Sequence, residues 1–380
     1  MGLLPSFFLV QLAFAPLPPF VANALSEIEV ETSFEGAAMF RLHFDLSRNF
    51  MGDFDAIMID LFRPLIPIRI SLSFGLGLPM TLINGYVRDV QLNVGNEPGS
   101  ARLEVVGADA LGTTMGHIQI PFPWPNMPDS AIVAAIFGKY AVLPAAVIPT
   151  PLTRTILDTT TTQQTRDNAF LQQIASFHSY QLFIQPDPLI GTDIGHFMPA
   201  SMMLALPPQG VLSVDFGSQT NLNSFQLTNQ MLKPTTVVSV FPEPDTRVPI
   251  PVIAPAATEP PMGLEPSLLR ILPPPIEVEI SNDAANVAEK YLQAFAKVTD
   301  SARTVQASGE VDGLKFSRPL LPGLPVMIRG AGRQHSGLYL VTSVSHHISR
   351  DGYTQNFQAM RNAVGLTGVE LFVDPLAPVT

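Results

Sequence analysis

Residue types that carry chemistry are thinly spread along this chain of 380 residues. The densest histidine cluster is His346-His347, but adjacent residues on a strand point to opposite faces, so the pair cannot easily chelate one metal ion. His178 and His196 flank a predicted strand and lack a helical ligand spacing that includes a carboxylate. We therefore expect no metal site, and we expect packed or hydrogen-bonded roles for these histidines.

Motifs typical of catalysis are not found in the sequence either. It has no glycine-rich phosphate loop, no HExxH helix and no Gly-x-Ser-x-Gly elbow. Gly75-Leu76-Gly77-Leu78 fits a hairpin better than a phosphate cradle, and the carboxylates of Asp53 and Asp55 are typical of an exposed turn. A glycosidase would need two carboxylates at a fixed gap across a cleft, which a sequence cannot display. We predict no catalytic residue and no cofactor.

Composition narrows the classes of function further. The net charge is −11 with only 21 basic residues, which argues against specific nucleic-acid binding. The chain has no cysteine, so thiolate chemistry and disulfides are excluded. Charged residues make up only 14% of the chain and the mean hydropathy is +0.26. A chain this apolar is expected to hide surface against other subunits, the alternative being a large monomer with long ordered loops.

The first 26 residues are uncharged and could be mistaken for a signal peptide. They lack a basic n-region, and Pro16, Pro18 and Pro19 interrupt the apolar stretch. The stretch is also too short to span a membrane. We interpret it as an extended N-terminal arm and strand, and we expect no stable membrane insertion, with a true signal as the alternative.

Alternating apolar residues between 27 and 110 predict several short strands of an antiparallel barrel or sandwich. With the N-terminal arm, this first domain is assigned to residues 1–112. Residues 113–208 predict a mixed α/β domain, with helices at about 129–140 and 166–178 and a strand near 180–184. A second β-barrel is predicted from 209–240 plus 308–363.

The segment 241–307 interrupts this second barrel, and 364–380 follows it as a C-terminal tail. Residues 242–275 contain eleven prolines, a density that predicts extended chain in place of regular helix or sheet. Because apolar residues are interleaved, we expect an arm laid against a neighbouring subunit more than a flexible linker. A helix is predicted from Asn282 or Asp283 to about Val298, and its apolar side is expected to carry Val287, Tyr291, Leu292, Phe295 and Val298.

Two distant stretches of the chain nearly repeat each other. Arg63-Pro64-Leu65-Ile66-Pro67 precedes an alternating run from Ile68, and Arg318-Pro319-Leu320-Leu321-Pro322 precedes one around Val326. A glycine-led strand follows in each case, at Gly85 and at Gly337. One β unit used twice is the simplest interpretation, with Ile68 and Val326 in equivalent strands. Two units per chain would allow three copies to form a ring of six similar units.

The second barrel and three other places resemble the phage late control protein D family. That family comprises baseplate hubs of contractile phage tails and the hub part of type VI secretion spike proteins. The matching segments keep the order and spacing of the family's motifs: Asn84–Val87, Asp129–Val133, Gln164–Leu171 with Tyr180–Phe183, Gly330–Gly332, Ser336–Val341, Val344–His346, Gly352–Phe357 and Arg361–Ala363. His178-Ser179, where the family often has a glycine, and the long proline-rich segment depart from the pattern.

The resemblance implies a mainly β fold with an α+β middle and two related antiparallel β-barrels of the tail-tube kind. It also implies a homotrimer that forms a pseudo-hexameric ring. Such a ring adapts a sixfold tail tube, or a tube-initiator protein, to a threefold puncturing spike, among other baseplate proteins. Since the chain ends soon after Gly365, the trimeric spike is expected to be a separate protein. The expected location is a virion tail baseplate or a contractile injection particle, assembled in the bacterial cytoplasm.

Two other functions remain open at this point. A tail-associated lytic enzyme would need a lytic domain, and no unassigned segment is large enough to be one. A secreted carbohydrate-binding β protein would need a genuine signal peptide. The sequence does not distinguish a phage tail from a bacterial injection system.

Overall fold

The structure is a computed structural model that describes residues 6–48, 54, 60–74, 77–96, 100–150, 160–188, 190–243, 248–271, 273, 275–279, 286–350, 352–368 and 370–372. Asp53, Asp55, Gly75, Asn282 and Asp283 lie outside these ranges. The fold is mainly β, as predicted, and its largest sheet has 13 strands. Within the described ranges, no helix has the length and apolar character needed to cross a bilayer.

A first β unit occupies residues 6–108. Its strands are β1 (Ser6–Leu12), β2 (Ala15–Pro16), β3 (Leu25–Ser33), β4 (Met39–Leu46), β5 (Pro67–Phe74), β6 (Met80–Asn93) and β7 (Ala101–Ala108), and the short helix α1 (Pro19–Ala24) precedes β3. The strands lie in the order β3-β4-β7-β6-β5-β1 and are paired antiparallel. Alternate residues of β3 and β4, such as Val30 and Leu42, are buried in one core, which is why the alternation of the sequence predicted strands here.

The middle of the chain is mixed α and β, as predicted. Its elements are β8 (Phe122–Trp124), α2 (Asp129–Lys139), β9 (Leu143–Val147), β10 (Thr161–Gln163), α3 (Asp167–His178), β11 (Gln181–Pro186), β12 (Asp193–Met198) and α4 (Ala200–Met203). The apolar residues of the two longer helices, among them Ile132, Val133 and Leu171, pack with Leu182, Ile184 and Phe197 in a second core.

The remainder forms a second β unit, an insertion within it and a short final strand. The elements in chain order are β13 (Val211–Ser213), β14 (Leu222–Asn229), β15 (Thr236–Pro242), β16 (Pro249–Ala254), β17 (Glu265–Pro266), β18 (Ile276–Glu279), α5 (Val287–Ala302), β19 (Val305–Asp312), α6 (Gly313–Phe316), β20 (Pro325–Arg329), α7 (Gly332–His335), β21 (Gly337–Ser349), β22 (Gly352–Arg361) and β23 (Ala363–Val364). The second β unit consists of β13, β14 and β19–β22. The insertion is 230–304. Strand β15 begins within the predicted 209–240 part of the barrel but pairs in a separate sheet with β16 and β18.

The two β units have the same strand order. In the second unit the spatial order is β14-β19-β22-β21-β20-β13. Each of these strands is equivalent to the strand at the same place in the order of the first unit, and the equivalent strands also occur in the same sequence along the chain. Ile68 pairs with Gly85 on β6, and Val326 pairs with Tyr339 on β21, so both lie in the strand that enters the long hairpin. The prediction that Ile68 and Val326 occupy equivalent strands is therefore confirmed. One difference is direction: β1 runs antiparallel to β5, whereas β13 runs parallel to β20.

The five-residue repeat that suggested the duplication is out of register in the structure. The amide of Leu65 donates to the carbonyl of Val87 over 2.8 Å, and the amide of Gly323 donates to the carbonyl of Val341 over 2.9 Å. Leu65 and Gly323 both have positive φ, at 63° and 78°. Arg63–Pro67 thus corresponds to Leu321–Pro325, not to Arg318–Pro322. What the units share is a Pro-x-x-Pro turn with a left-handed residue after its first proline.

The two glycines that were expected to begin equivalent strands also occupy different positions. Gly337 does begin β21, but Gly85 lies inside β6, five residues after its start. The hairpin pairing places Gly85 opposite Ile68 and Gly337 opposite Ile328. Glycine spacing was therefore a poor guide to register, because a glycine can be required for close packing inside a strand as well as at its end.

The proline-rich segment is not excluded from sheet structure, contrary to the sequence-based expectation. β16 pairs with β15, with Pro249 opposite Pro242 and Pro251 opposite Val240. Pro249 and Pro251 are two residues apart, so their missing N–H groups fall on the same edge of the strand, and an edge strand tolerates this. The segment is folded on its own chain, because Val252 and Ala254 are buried with Val298 of α5 in a separate core.

Two buried arginines hold the insertion in place. Arg361 is fully buried and donates from Nε to the carbonyl of Met262 over 3.1 Å and from Nη1 to the carbonyl of Ser336 over 2.8 Å. Arg303, at the end of α5, forms a buried ion pair with Glu259 through its Nη2 atom. Glu259 and Arg303 both belong to the insertion, so this pair stabilises the insertion itself, and breaking such a buried pair is costly. The bond from Arg361 to Met262 is the one that fixes the insertion to the second unit.

Helix α5 begins later in the chain than predicted, and part of its predicted apolar side is buried. It begins after Asn286, whose side chain accepts a hydrogen bond from the amide of Glu289 over 2.9 Å. Ala294, Val298 and Ala302 are buried, whereas Tyr291 is 39% exposed. Val287 and Phe295, also on the predicted side, pack against the same core, so that side was predicted correctly except at Tyr291. The prediction did not include the alanines, which let the helix approach the sheet.

The turn of the second unit gives a test of its packing against the middle domain. Gly323→Ala should lower the thermal midpoint, because an L-residue in the left-handed region costs about 1–2 kcal/mol and the new Cβ would lie 3.1 Å from Cζ of Phe183. Gly332→Ala is the matched control, since Gly332 has φ +80° with no atom within 4 Å of the added Cβ. We expect Gly323→Ala to be the more destabilised of the two in thermal denaturation. Equal midpoints would contradict the tight packing assigned to this turn.

Candidate functional site

His346 and His347 point to opposite faces of β21, as predicted. His346 is fully buried, and its Nδ1 atom lies 2.8 Å from the hydroxyl oxygen of Tyr353, with the two rings stacked. Burial lowers the pKa of His346 to about 3, so the ring is neutral at physiological pH. Its Nε2 atom has no hydrogen-bond partner among the described residues. This histidine packs inside the sheet and is not presented to a ligand.

His347 lies on the polar face, beside two glutamates of β3. Its Nδ1 atom is 3.2 Å from Oε1 of Glu27 and 3.9 Å from Oε1 of Glu29. The three residues offer ligand atoms within 4.8 Å of one another. Arg41 already pairs with Glu29 over 3.2 Å and with Glu104 over 3.8 Å, so the group forms a surface ion-pair network. That no metal binds in this chain stays a prediction.

His178 and His196, the other two histidines considered as possible ligands, pack against neighbouring side chains. Nε2 of His178, at the end of α3, lies 2.7 Å from Oδ2 of Asp129 in the first turn of α2. The His196 ring stacks on Phe183 with centroids 4.4 Å apart. Burial lowers the pKa of His196 to about 4, which keeps this ring neutral. The structure does not bring these two histidines together with His346 or His347 in one cluster of metal-ligating groups.

A buried carboxylate that the sequence analysis missed lies where the first unit meets the middle domain. Asp109 is 1% exposed and accepts hydrogen bonds from the amides of Ala38 and Gly112, both over 2.9 Å. Burial raises the pKa of Asp109 to about 7, with a smaller contribution from the charge of Asp193. An aspartate between Ala108 and Ala110 in an apolar run was the available signal. Its role is to close the turn after β7.

Asn84 and Arg69 connect the first unit to the middle domain nearby. The Asn84 amide nitrogen donates to the carbonyl of Gly191 over 2.8 Å and to Oδ1 of Asp193 over 2.9 Å. Arg69 donates from Nε to Oδ1 of Asn84 and from Nη2 to the carbonyl of Gly191. These groups satisfy one another, so they hold the two parts together and leave no free acid–base pair.

The arrangement with the clearest functional meaning is the pair of strands that joins the two units. β21 of the second unit pairs antiparallel with β3 of the first over seven registered positions, from Ser343↔Ser33 to Ser349↔Glu27. We call this strand pair the joint. Core-facing residues on both sides of the joint, Ile28, Val30, His346 and Ile348, are at most 3% exposed. Through the joint, four strands of each unit form one continuous sheet, β14-β19-β22-β21-β3-β4-β7-β6.

One face of this continuous sheet is polar. An open groove runs across it, lined by Glu31, Ser224, Gln226, Ser308, Ser345 and Asn356 among others. These side chains carry hydroxyl groups, amide groups and one carboxylate, all of which bind water, so they can form a hydrated surface or line a passage. Such an arrangement suits assembly and hydration better than covalent chemistry.

No protein-family model matches the chain, and no curated protein matches it. Several solved structures, however, have a similar fold. A tail protein from Neisseria meningitidis MC58 superposes with a TM-score of 0.63 at 13% identity, covering 94% of this chain and 97% of that one. The 43 kDa tail protein of prophage MuSo2 from Shewanella oneidensis superposes with a TM-score of 0.65 at 11% identity, covering 95% and 100%.

A third structure extends the similarity to secretion systems. An E. coli protein described as a component of the type VI secretion system, with structural similarity to the T4 bacteriophage tail proteins gp27 and gp5, has a TM-score of 0.53 at 13% identity. The alignment covers 89% of this chain and 73% of that one. At these identities the likeness is one of fold. It confirms, at that level, the resemblance to phage tail and type VI secretion proteins drawn from the sequence.

The buried carboxylate predicts a specific pH dependence. Because the pKa of Asp109 is about 7 in the folded chain and about 3.9 when unfolded, the folded state binds the extra proton between these values. Protonated Asp109 therefore adds on the order of 4 kcal/mol to the free energy of unfolding below about pH 4. This contribution is lost as the pH rises towards 7. His196 and His346 act in the opposite sense at low pH, since burial lowers the pKa of each ring.

Comparison with Asp109→Asn isolates this contribution. The variant should be less stable at acidic pH, since an amide oxygen replaces a carboxyl group that accepts two backbone amides. Denaturant unfolding at several pH values between 4 and 8 should show the difference between the two proteins shrinking as the pH rises. Parallel profiles across this range would mean that Asp109 does not titrate as assigned.

Proposed function

We propose that this protein is a structural hub subunit of a contractile tail or injection particle, with no enzymatic role. The observation that carries the proposal is the joint, which links two β units of identical strand order within one chain. A chain of this kind supplies two similar units in succession to a ring. The fold shared with the two tail proteins and with the type VI secretion component supports the same role.

Three copies would place six similar β units around an axis. The ring would present pseudo-sixfold symmetry to a tail tube or tube-initiator protein and true threefold symmetry to a separate trimeric spike. The insertion and the middle domain occur once per chain, so they would appear three times around the ring. They are the parts of the chain suited to threefold contacts with the spike and with other baseplate proteins.

The apolar composition fits an assembled location. Exposed large hydrophobic side chains include Phe20, Ile120, Phe216, Leu232 and Val278 in the described part of the chain. They are spread over both units, the middle domain and the insertion, as expected for a subunit with neighbours on several sides. We place the protein in a tail baseplate or injection particle, assembled in the cytoplasm of the bacterium that makes it.

The number of copies is the decisive measurement. Light scattering of the purified chain at increasing concentration should approach three times the chain mass of 41.1 kDa, and class averages from electron microscopy should show rings with six similar lobes. Assembly with a purified tube protein would be the next step. A chain that stays monomeric at every concentration, and that is not trimeric inside a particle, would refute the hub assignment.

A further inference from the structure

We infer that β6 of one copy pairs antiparallel with β14 of the next copy, with Leu92 opposite Leu227. This inference rests on the proposed ring and identifies its intermolecular contact. The joint already shows how one unit attaches to the next inside the chain. The contact between chains repeats the joint with the roles of the two units exchanged: β6 stands in for β21, and β14 stands in for β3.

The strand correspondence can be fixed residue by residue, because both strand pairs contain matching irregularities. The β3–β4 ladder shifts register between Leu25 and Glu27, and the β14–β19 ladder shifts between Leu222 and Ser224. Leu25 therefore corresponds to Leu222. A bulge is a fixed local feature of a strand pair, so matching bulges give the alignment without reliance on sequence identity.

The long hairpin strands match in the same way. The β6–β7 ladder shifts between Val87 and Asp89, and the β21–β22 ladder shifts between Val341 and Ser343. Val87 thus corresponds to Val341. The turn hydrogen bonds from Leu65 to Val87 and from Gly323 to Val341 give the same alignment independently.

The register of the new contact follows from the register of the joint. In the joint, His346 lies opposite Val30 and Ile348 lies opposite Ile28. Replacing each residue by its equivalent gives the pairs of the contact between copies: Asp89↔Gln230, Val90↔Asn229, Gln91↔Thr228, Leu92↔Leu227, Asn93↔Gln226, Val94↔Phe225 and Gly95↔Ser224.

Both edges that this pairing requires are open in the described part of the chain. β14 is paired only with β19, and the part of β6 after Tyr86 is paired only with β7. In the joint, by contrast, β21 is covered on both edges over Ser343–Ser349, by β22 and by β3. Open edges expose unpaired backbone donors and acceptors, which another strand can satisfy.

Side-chain exposure supports the same positions. Leu92 and Val94 are 41% and 49% exposed, whereas their equivalents His346 and Ile348 in the joint are 0% and 3% exposed. On β14, Phe225 and Leu227 are only half-buried, while their equivalents Ile28 and Val30 are buried. Apolar residues thus occupy the core-facing positions of both open edges. They lack only the neighbouring strand that covers their counterparts.

The polar positions of the proposed pairing are compatible as well. Gln91 would face Thr228, Asn93 would face Gln226, and the single charge, on Asp89, would face Gln230. No like charges meet, and like charges directly opposite each other would destabilise a strand pair. The second copy is therefore complementary to these edges in backbone, apolar and polar character.

Disulfide trapping tests the register directly, because the chain contains no cysteine of its own. Gln91→Cys combined with Thr228→Cys places the two thiols at directly opposed positions, within disulfide reach. Mild oxidation of the purified full-length double variant should give a covalent species of three chains on non-reducing electrophoresis, and a reductant should reverse it. The two single variants give the background from random collision.

A mismatched pair is the control. Gln91→Cys with Ser224→Cys keeps both residues on the polar face but moves one thiol four positions along β14, about 13 Å away. We expect the matched pair to link at least about tenfold faster than this mismatched pair. If light scattering shows a trimer but the two pairs link equally, or neither links, the register is wrong and the ring still stands. If light scattering shows no trimer, the proposed function fails as well.

A charge at the core-facing position gives a second measurement. Leu92→Lys should shift the assembly towards monomer, raising the concentration for half-assembly at least tenfold, because the ammonium would be buried against Leu227 of the next copy. Leu78→Lys is the matched control, since Leu78 is 74% exposed and lies off both edges. Far-UV circular dichroism should show both variants folded. Unchanged assembly of Leu92→Lys would overturn the proposed contact.

Discussion

Backbone hydrogen bonding along strand edges is the constraint on which this architecture depends. Every buried amide and carbonyl needs a partner, and a strand at the edge of a sheet leaves a row of them open. The joint between β3 and β21 satisfies two such edges at once and merges the cores on either side, since Ile348 and Tyr353 of the second unit pack with the core of the first. Without that strand pair, each unit would expose one more apolar edge.

The sequence predicted the class of fold and the duplication better than it predicted register. Ile68 and Val326 were assigned to equivalent strands correctly, because period-two alternation reports burial on one face and survives divergence. The Arg-Pro-Leu match gave the wrong alignment of the two units. The turn requires prolines at set positions and one residue in the left-handed conformation, and that residue is Leu65 in one unit and Gly323 in the other. Hydrogen-bond geometry carries that information, and residue identity does not.

Elements that depend on tertiary packing were the least predictable. Prolines in β16 were taken to exclude a sheet, yet their positions match the free edge of a strand whose other edge pairs with β15. Phe295 and Val298 were assigned correctly to the buried side of α5, but Tyr291 is exposed, because Ala294 and Ala302 bring the helix close to its sheet elsewhere. The sequence signal for the interface carboxylate Asp109 was only its position in an apolar run, since its partners are backbone amides brought together by folding.

Fusion of the two β units in one polypeptide has a thermodynamic consequence. Strand pairing between separate molecules must overcome the loss of translational and rotational freedom, and it weakens as the protein is diluted. The joint forms within one chain, so its two halves meet at a fixed effective concentration set by the connecting segments. This contact between units therefore persists at any dilution. Fusion also allows the outer edges of the two units to diverge. Each unit is encoded by its own part of the gene, so a single substitution changes one unit and leaves the other as it was.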